Sequence, residues 1–279
     1  MVAMQWDFHG VDPGEELPDI DTSVAHSARI YDYILGGKDN FEADRRAAEA
    51  ATKANPAMAT GMRENRAVMR RMTAYLAGEA GIRQFLDIGT GLPTSPNMHE
   101  IAQSLRPDSR IVYVDNDPIV LAHARALLTS NADGSTAYLH ADLRQPEKIL
   151  ADPRLMATLD LSEPVALMMF GVLHFIPDED DPYGIVSRLL TALPAGSYLA
   201  IQHPTRDFYA GHAGAERSYR NAGIPFQYRS RAEFERFVGS LELVPPGLVP
   251  MVEWRAEGEP GPRPDAAAAG AYAALGRKP

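Results

Sequence analysis

Three carboxylates and a glycine-rich turn follow successive apolar segments of the chain. Asp87 lies just before the turn Gly89-Thr90-Gly91, where the absence of Cβ atoms on glycine lets the backbone pass close to a ligand. Asp115 ends the next apolar segment, 24 residues after the end of that turn, where a carboxylate can accept both hydroxyls of an adenosine ribose. Asp142 follows the third segment and can accept from an adenine amino group. Together these positions predict a site for an adenosine-bearing ligand.

The sequence lacks part of the dinucleotide-binding motif, and this limits the class of ligand that the site could bind. A nicotinamide dinucleotide site needs a third glycine for helix–strand packing, and the sequence has Thr94 at that position, with Pro93 before it. Asp87 would repel a diphosphate, whereas an ammonium or sulfonium group would be attracted to it. The pattern therefore favours S-adenosylmethionine as the cofactor. Two alternatives stay open from the residues alone: a nicotinamide-dependent oxidoreductase, and a protein that binds S-adenosylmethionine without catalysing a reaction.

Two histidines follow the later apolar segments and are candidate catalytic residues. His174 comes three residues after the pair Phe170-Gly171, and His203 ends the fifth apolar segment. An imidazole titrates near neutral pH, so either side chain could act as a general base or contact a methyl acceptor. A structural histidine, hydrogen-bonded at a strand end, is the alternative. Nothing in the sequence requires a metal ion.

The elements that must position these residues alternate between strands and helices from residue 83 onward. Short apolar runs predict strands at 84–88, 110–114, 136–140, 164–170 and 197–202. Helical spacing predicts helices at 96–105, 118–128, 181–193 and 231–238. The less regular tail predicts strand pieces at 241–244 and 248–254, and a last strand at 268–275, where alanines would also suit a helix. This alternation predicts a parallel sheet with helices on both faces and a ligand site at the carboxyl ends of its strands.

The first 80 residues have a helical pattern. Ser23 is the expected start of a first helix, whose apolar face is formed by Val24, Ala28, Tyr31 and Leu35. Segment 41–53 predicts a second helix from its Ala, Glu and Arg content. Segment 65–77 predicts a third helix from an apolar stripe, which we interpret as core packing.

Several polar and aromatic side chains of the first helix and the turn after it lie off the apolar face. They are His26, Arg29, Tyr33 and Asn40. A helix that only packs against a core needs no such set, so we expect this segment to fold over the cofactor mouth as a lid and to contact the substrate. A capped surface hairpin is the alternative.

Composition limits the class of protein further. The chain has 279 residues, a formal net charge of −10 and 45% hydrophobic residues, which is typical of a soluble globular protein. The acidic balance argues against nucleic-acid or membrane partners, and no apolar run approaches the roughly 20 residues of a membrane helix. Zero cysteines exclude disulfides and thiolate chemistry. We expect a cytoplasmic protein without a secretory signal, acting on a small molecule, although a protein side chain would also fit. The oligomeric state is not indicated.

Longer stretches of the sequence resemble a known family. Segment 87–91 is similar to the first motif of the class I S-adenosylmethionine-dependent methyltransferases. Four stretches are similar to the actinobacterial S-adenosyl methyltransferase family, formerly a domain of unknown function: DTSVAHSARIYDYILGGKDNFEADR (21–45), FLDIGTGLPT (85–94), VYVDNDPIVLAHARALL (112–128) and LHFIPDEDDP (173–182). The resemblance runs from about Asp19 to the C-terminus. It implies a Rossmann-like α/β fold with a mostly parallel seven-stranded sheet and an antiparallel last strand.

The same resemblance implies roles for the residues after each strand. Asp87 would face the methionine moiety, and Asp115 the ribose hydroxyls. Further cofactor contacts are expected at the glycine turn, beside Asp115, around the adenine and beside the transferred methyl: Gly89, Thr90, Gly91, Asn116, Asp142, Leu143, Phe170 and Gly171. We therefore expect a flexible acidic tail at 1–18, an N-terminal helical cap or lid at 19–80 and a methyltransferase core at 81–279. The resemblance implies no defined substrate.

Overall fold

The structure is a computed structural model that describes residues 20–120, 122, 133–208, 212–259 and 261–279. The predicted acidic tail at 1–18 and most of the predicted helix at 118–128 lie outside the described residues. The described residues form a central sheet, helices on its two faces and three further helices that pack together beside the carboxyl ends of the strands.

Eight strands form the sheet: Gln84–Ile88 (β1), Arg110–Asp115 (β2), Ser135–His140 (β3), Ala166–Phe170 (β4), Tyr198–Pro204 (β5), Glu242–Leu243 (β6), Val249–Pro250 (β7) and Ala271–Arg277 (β8). The spatial order is β3-β2-β1-β4-β5-β8-β6, and β7 also pairs with β8. Strands β1 to β5 run parallel, and β8 runs antiparallel to β5. The order reverses between β1 and β4, so the ligand crevice is expected at the carboxyl ends of these two strands.

Ten helices are present in the described ranges: Ser27–Ile34 (α1), Glu42–Ala54 (α2), Met58–Gly78 (α3), Met98–Leu105 (α4), Pro146–Leu150 (α5), Pro153–Thr158 (α6), Pro182–Thr191 (α7), His212–Asn221 (α8), Arg231–Val238 (α9) and Ala266–Ala269 (α10). One sheet face packs against α3, α4 and α10, and the opposite face packs against α5, α6, α7 and α9. This arrangement confirms the predicted Rossmann-like α/β fold.

Alternation of side chains along β1 explains the two cores. Phe85 packs against the α3 stripe, which includes Met72 and Leu76, whereas Leu86 and Ile88 pack in the cluster on the opposite face. All five residues are at most 1% exposed. Truncating a buried side chain such as Leu76 to alanine typically costs about 2–5 kcal/mol. Helix α3 therefore belongs to the layers of the sheet fold, although it lies within the predicted cap segment.

The C-terminal part differs from the predicted pattern in two respects. In the described residues the sheet has eight strands, whereas the family resemblance implied seven, because the two short pieces predicted at 241–244 and 248–254 form β6 and β7 and each pair with β8. The alanine-rich segment forms both candidate structures in turn, since α10 ends at Gly270, whose φ of +67° turns the chain into β8. The predicted antiparallel last strand is confirmed.

The first helix begins later than Ser23. Helix α1 starts at Ser27, and Val24, expected on the apolar face, is 54% exposed. Ile30 is buried instead, in a cluster that joins α1, α2 and α8. Helices α1 and α2 thus pack against α8, which follows β5, and the cap combines two distant segments of the chain.

Candidate functional site

The glycine-rich turn after β1 is fixed against β2. Gly89 N donates to Val114 O at 2.8 Å. Gly89 has a φ of +75°, and a Cβ atom built there would lie 2.5 Å from Val172 Cβ, so only glycine fits. Gly91 has a φ of +67°, and a Cβ atom built on it would meet nothing within 4 Å, which leaves open space beside the turn.

Asp115 links this turn to the loop after β2. Its Oδ2 accepts from Gly91 N at 2.8 Å, and its Oδ1 accepts from Asp117 N at 2.9 Å. Burial raises the pKa of Asp115 despite these two hydrogen bonds. Because each carboxylate oxygen has a second lone pair, Asp115 can still accept from a pair of ligand hydroxyls.

Asp87 is a buried carboxyl at the end of β1. Burial raises its pKa to about 7, against a hydrogen bond from Thr90 and the charge of Arg66. A ligand cation beside Asp87 would favour the ionised form and lower this pKa. The donor set therefore fits a ligand with a positive charge near β1 and two hydroxyls near β2, which is the chemistry of S-adenosylmethionine.

The strand-end loops line one cavity of about 400 Å³, a volume in the range of small-molecule sites. All ten predicted cofactor residues line it: Asp87, Gly89, Thr90, Gly91, Asp115, Asn116, Asp142, Leu143, Phe170 and Gly171. Asp142 is engaged by Arg144 Nη2 at 2.8 Å; burial opposes ionisation, but the Arg144 hydrogen bonds outweigh it and lower the pKa of Asp142. The fold thus places all ten residues on one wall of the cavity, called the cofactor wall below.

The two predicted catalytic histidines lie in different surroundings. His174 lines the cavity, and burial, with the nearby His203 and Arg229, holds its pKa well below the ordinary value. His203 does not line the cavity. Its Nε2 lies 2.8 Å from Arg229 Nη1, and its Nδ1 lies 2.7 Å from Pro204 O. Since Arg229 can only donate, His203 accepts at Nε2 and donates from Nδ1, which makes it a neutral structural residue.

Arg229 holds His203 in its buried position. Its guanidinium also donates to Leu173 O at 3.0 Å, to Ile176 O at 2.9 Å and to Asp178 Oδ1 at 2.8 Å. Burial and the Arg229 charge lower the pKa of His203 to about 3. The structure thus places His203, predicted as a catalytic residue, away from the cavity lining, where its contact with Arg229 supports the loop that carries His174.

Of the four predicted lid residues, His26 alone lines the cavity. His26 Nδ1 lies 3.0 Å from Asp117 Oδ2, and the Arg29 Nε atom lies 3.1 Å from the same oxygen. Arg29 is 4% exposed and also donates to the carbonyls of Asp21 and Val24, so it fastens α1 to the loop after β2. Arg29, predicted to contact the substrate, is thus engaged in holding α1 and does not line the cavity.

The other two lid residues face away from the cavity. Tyr33 Oη donates to Glu49 Oε1 at 3.1 Å on the exposed side of α1. Asn40 is buried under the turn after α1, where Nδ2 donates to Asp32 Oδ2 and Oδ1 accepts from Arg45 Nε. The substrate contacts predicted for Tyr33 and Asn40 would need these side chains at the cavity, whereas the structure engages both in local hydrogen bonds.

The sequence patterns did not indicate the opposite wall of the cavity, called the aromatic wall below. Polar side chains from α3 and β5 line it, together with aromatic rings from α1, the turn after β4, α8 and the segment after α8: Asn65, Gln202, Tyr31, Phe175, Tyr219, Phe226 and Tyr228. The Phe226 ring stacks on Tyr219 at 4.8 Å and packs on His174 at 4.7 Å. A signal was available for Asn65 alone, as a polar residue at the edge of an otherwise apolar helical stripe.

The Rossmann-like fold and this cofactor wall define a class I S-adenosylmethionine-dependent methyltransferase. A family model described as S-adenosyl methyltransferase matches residues 13–279, and the chain belongs to that family.

Solved structures agree with this assignment. The chain is 51% identical to a duf574 family protein from Streptomyces avermitilis, with a TM-score of 0.88 over 94% of this chain and 100% of that one. It is 42% identical to a protein from Thermobifida fusca solved as a candidate methyltransferase, with a TM-score of 0.85 over 94% and 97%. A 13% identical S-adenosylmethionine-dependent methyltransferase from Anabaena variabilis shares the fold, with a TM-score of 0.50 over 95% and 100%. No curated protein matches the chain.

None of the helices in the described ranges combines the length and apolar character needed to cross a bilayer. In the same part of the chain, no three His, Cys, Asp or Glu side chains are grouped so that they could hold a metal ion.

Proposed function

We propose that this methyltransferase acts on a small-molecule acceptor that binds between the cofactor wall and the aromatic wall. The observation that supports the proposal is a cavity of about 400 Å³ whose two walls differ in chemistry. One wall is polar, acidic and glycine-rich, and the other is mainly aromatic, with the uncharged amides of Asn65 and Gln202. Because the aromatic wall comes from this chain itself, the acceptor is expected to be enclosed rather than presented on a macromolecular surface.

The proposed roles of the residues follow from their chemistry. S-adenosylmethionine, when bound, supplies an electrophilic methyl group on a sulfonium. Asp87 would hold the cationic portion, Asp115 the ribose hydroxyls, and Asp142 with Leu143 the adenine. Gly171 would border the methyl, since its missing side chain keeps the space beside His174 open. The aromatic wall would exclude water and align the acceptor, which can contribute several kcal/mol to lowering the barrier.

We also propose that α1 covers the cofactor. His26 lines the cavity, and the contacts of His26 and Arg29 with Asp117 join α1 to the loop that carries Asp115. In this proposal α1 contacts the cavity through His26, and the ion pairs of His26 and Arg29 with Asp117 hold α1 in place. Helix α8 completes the cover from the side of β5.

Calorimetry with S-adenosylmethionine and S-adenosylhomocysteine tests the cofactor site. We expect both to bind, and we expect Asp115→Ala to abolish binding. Asp108→Ala is the matched control, because the side chain of Asp108 is 48% exposed and pairs with Arg83 on the surface. Loss of binding in both variants, or in neither, would contradict the assigned role of Asp115.

A labelling experiment tests the class of acceptor. The protein is incubated with methyl-labelled S-adenosylmethionine and a cell extract separated into low-molecular-mass, protein and nucleic-acid fractions. We expect label in the low-molecular-mass fraction. Label confined to protein or nucleic acid would refute a small-molecule acceptor.

A further inference from the structure

Arg66 on α3 lines the cavity and forms no ion pair with any acidic side chain in the described part of the chain. Its Nη2 atom donates to Thr94 O and, at 3.1 Å, to Pro96 O, both in the loop after β1. Its Nε and Nη1 atoms have no hydrogen-bond partner among the described residues. The two carbonyl contacts therefore hold the guanidinium against this loop and leave N–H groups for a ligand.

The two other basic side chains that line the cavity, as far as the chain is described, each have an acidic partner. His26 Nδ1 lies 3.0 Å from Asp117 Oδ2, and Arg144 Nη2 lies 2.8 Å from Asp142 Oδ2. An unpaired guanidinium repels the sulfonium and ammonium groups of S-adenosylmethionine unless an anion lies between them. The α-carboxylate is the anionic group of this cofactor. The charge of Arg66 therefore indicates where that carboxylate lies.

Asp87 faces the same side of the sheet as α3. It lies two residues after Phe85, which packs against α3, and its register partner on β2 is Tyr113, in the same cluster. The charge of Arg66 also opposes the rise that burial causes in the pKa of Asp87. A carboxyl and a guanidinium thus line one cavity near each other. An α-amino acid fits between them, because its ammonium and carboxylate groups are attached to the same carbon atom.

An anionic group on the methyl acceptor is the other partner that Arg66 could bind. The aromatic wall, which we propose for the acceptor, comes largely from α1, α8 and the segments after β4 and α8. Asn65, on that wall, precedes Arg66, but successive side chains of a helix point about 100° apart. Arg66 instead contacts the loop that continues from the glycine-rich turn. The cofactor is therefore the better match.

We propose, resting on the proposed function, that Arg66 binds the α-carboxylate of S-adenosylmethionine while Asp87 binds its ammonium group. Arg66 then selects for a cofactor whose amino-acid moiety carries both charges. Holding the carboxylate at α3 also limits the directions in which the sulfonium methyl can point. An adenosyl compound without the carboxylate would leave the Arg66 charge unpaired beside a cationic ligand, so we expect the protein to bind it weakly.

Calorimetry at pH 8 with two matched ligands tests this proposal without turnover. One ligand is S-adenosylhomocysteine. The other is its decarboxylated form, S-adenosyl-3-thiopropylamine, which keeps the adenosine, the sulfur and the amino group. We expect the wild type to bind S-adenosylhomocysteine at least about ten-fold more tightly, a difference of about 1.4 kcal/mol. Equal affinities for the two ligands would overturn the proposal.

Variants of α3 distinguish the carboxylate contact from general support of the loop. Arg66→Met should reduce the ratio of the two affinities to about two-fold or less, because only S-adenosylhomocysteine uses the guanidinium. Arg63→Met is the matched control and should retain the wild-type ratio, because Arg63 is an exposed arginine of the same helix and does not line the cavity. If Arg66→Met fails to fold, Arg66→Gln decides the question, since its amide can still donate to the loop carbonyls.

The remaining outcomes separate the other roles that Arg66 could have. If Arg66→Met weakens both ligands equally and keeps the ratio, Arg66 supports the loop, and this proposal alone is overturned. If the variant binds both ligands as the wild type does and loses only methyl transfer, Arg66 binds the acceptor, which also overturns it. Failure of the wild type to bind S-adenosylhomocysteine overturns the proposed function as well.

Discussion

Asp87 is expected to lower the stability of the ligand-free protein and to favour cofactor binding. Its pKa is raised by burial to about 7, from 3.8. The folded chain therefore binds more protons than the unfolded chain between these values, and the free energy of unfolding falls as pH rises through this window. We expect Asp87→Asn to melt at a higher temperature than the wild type, with a larger difference at pH 8 than at pH 5.5.

The same substitution should weaken S-adenosylmethionine binding, because the neutral amide cannot pair with a cation. Hydrogen bonds to charged groups contribute about 1.5–3 kcal/mol, so a loss of about ten-fold or more is expected at pH 8. Melting curves followed by circular dichroism and calorimetric titrations measure the two effects. A variant that is less stable at pH 8 and binds the cofactor normally would contradict the assignment.

His203 is expected to matter for stability and not for proton transfer. His203→Leu removes one acceptor from the buried Arg229, which should cost about 1–3 kcal/mol of unfolding free energy. Since the pKa of His203 is lowered to about 3, its removal should leave the pH dependence of S-adenosylhomocysteine binding between pH 6 and 9 unchanged. Urea denaturation and calorimetry test both parts. Unaltered stability with an altered pH profile would restore a chemical role.

At the scale of elements, the contact between α1 and the loop after β2 depends on Asp117. Removing one partner of a buried ion pair typically costs about 3–5 kcal/mol, so Asp117→Ala should free α1 and weaken cofactor binding. Hydrogen exchange of the α1 amides should increase. Asp152→Ala is the control, because Asp152 caps α6 and pairs with Arg154 away from the cavity. Equal exchange in the two variants would argue against the lid.

The same contact should depend on pH. Burial opposes protonation of His26, but the hydrogen bond and charge of Asp117 outweigh it and raise the pKa of His26 above 6.5. Stabilisation by the charged pair is complete below pH 6.5 and is lost as pH rises through the raised pKa. Protection factors of α1, corrected for intrinsic exchange, should therefore decrease from pH 6 to pH 9. Asp117→Asn should reduce this decrease, and an equal decrease in both proteins would contradict it.

The elements also show why the residues of the cofactor wall could be predicted from the sequence and those of the aromatic wall could not. Asp87, Asp115 and Asp142 each follow an apolar run, and parallel strands bring their carboxyl ends together, so a local pattern was sufficient. Asn65 and Gln202 lie inside regular elements, α3 and β5, and both come near Gly171 only because α3 packs across the sheet against β4 and β8. Arg29 was expected on the polar face of the first helix. It is buried instead, because it pairs with Asp117, which lies 88 residues further along the chain.

Across the whole molecule, cofactor binding should stabilise every layer that contributes to the cavity. A ligand at 100 times its Kd adds about 2.7 kcal/mol to the unfolding free energy. For a chain of this size, that amount corresponds to a rise in Tm of roughly 5–10 °C. Thermal scans with increasing S-adenosylhomocysteine test this, with reduced nicotinamide dinucleotide as the control ligand. A shift with the dinucleotide alone would contradict the cofactor assignment.

The cover made by α1, α2 and α8 means that the residues proposed for the cofactor and those proposed for the acceptor come from different parts of the chain. The cofactor loops are built on the sheet, whereas much of the aromatic wall comes from α8 and the residues after it, up to Tyr228. Exchanging 212–228 for the corresponding segment of a relative should therefore change the range of acceptors while leaving cofactor affinity nearly intact. Segment 212–228 could therefore be replaced in engineered variants to change which acceptor is bound. Natural selection could likewise change the acceptor through substitutions in this segment while the cofactor site stays the same.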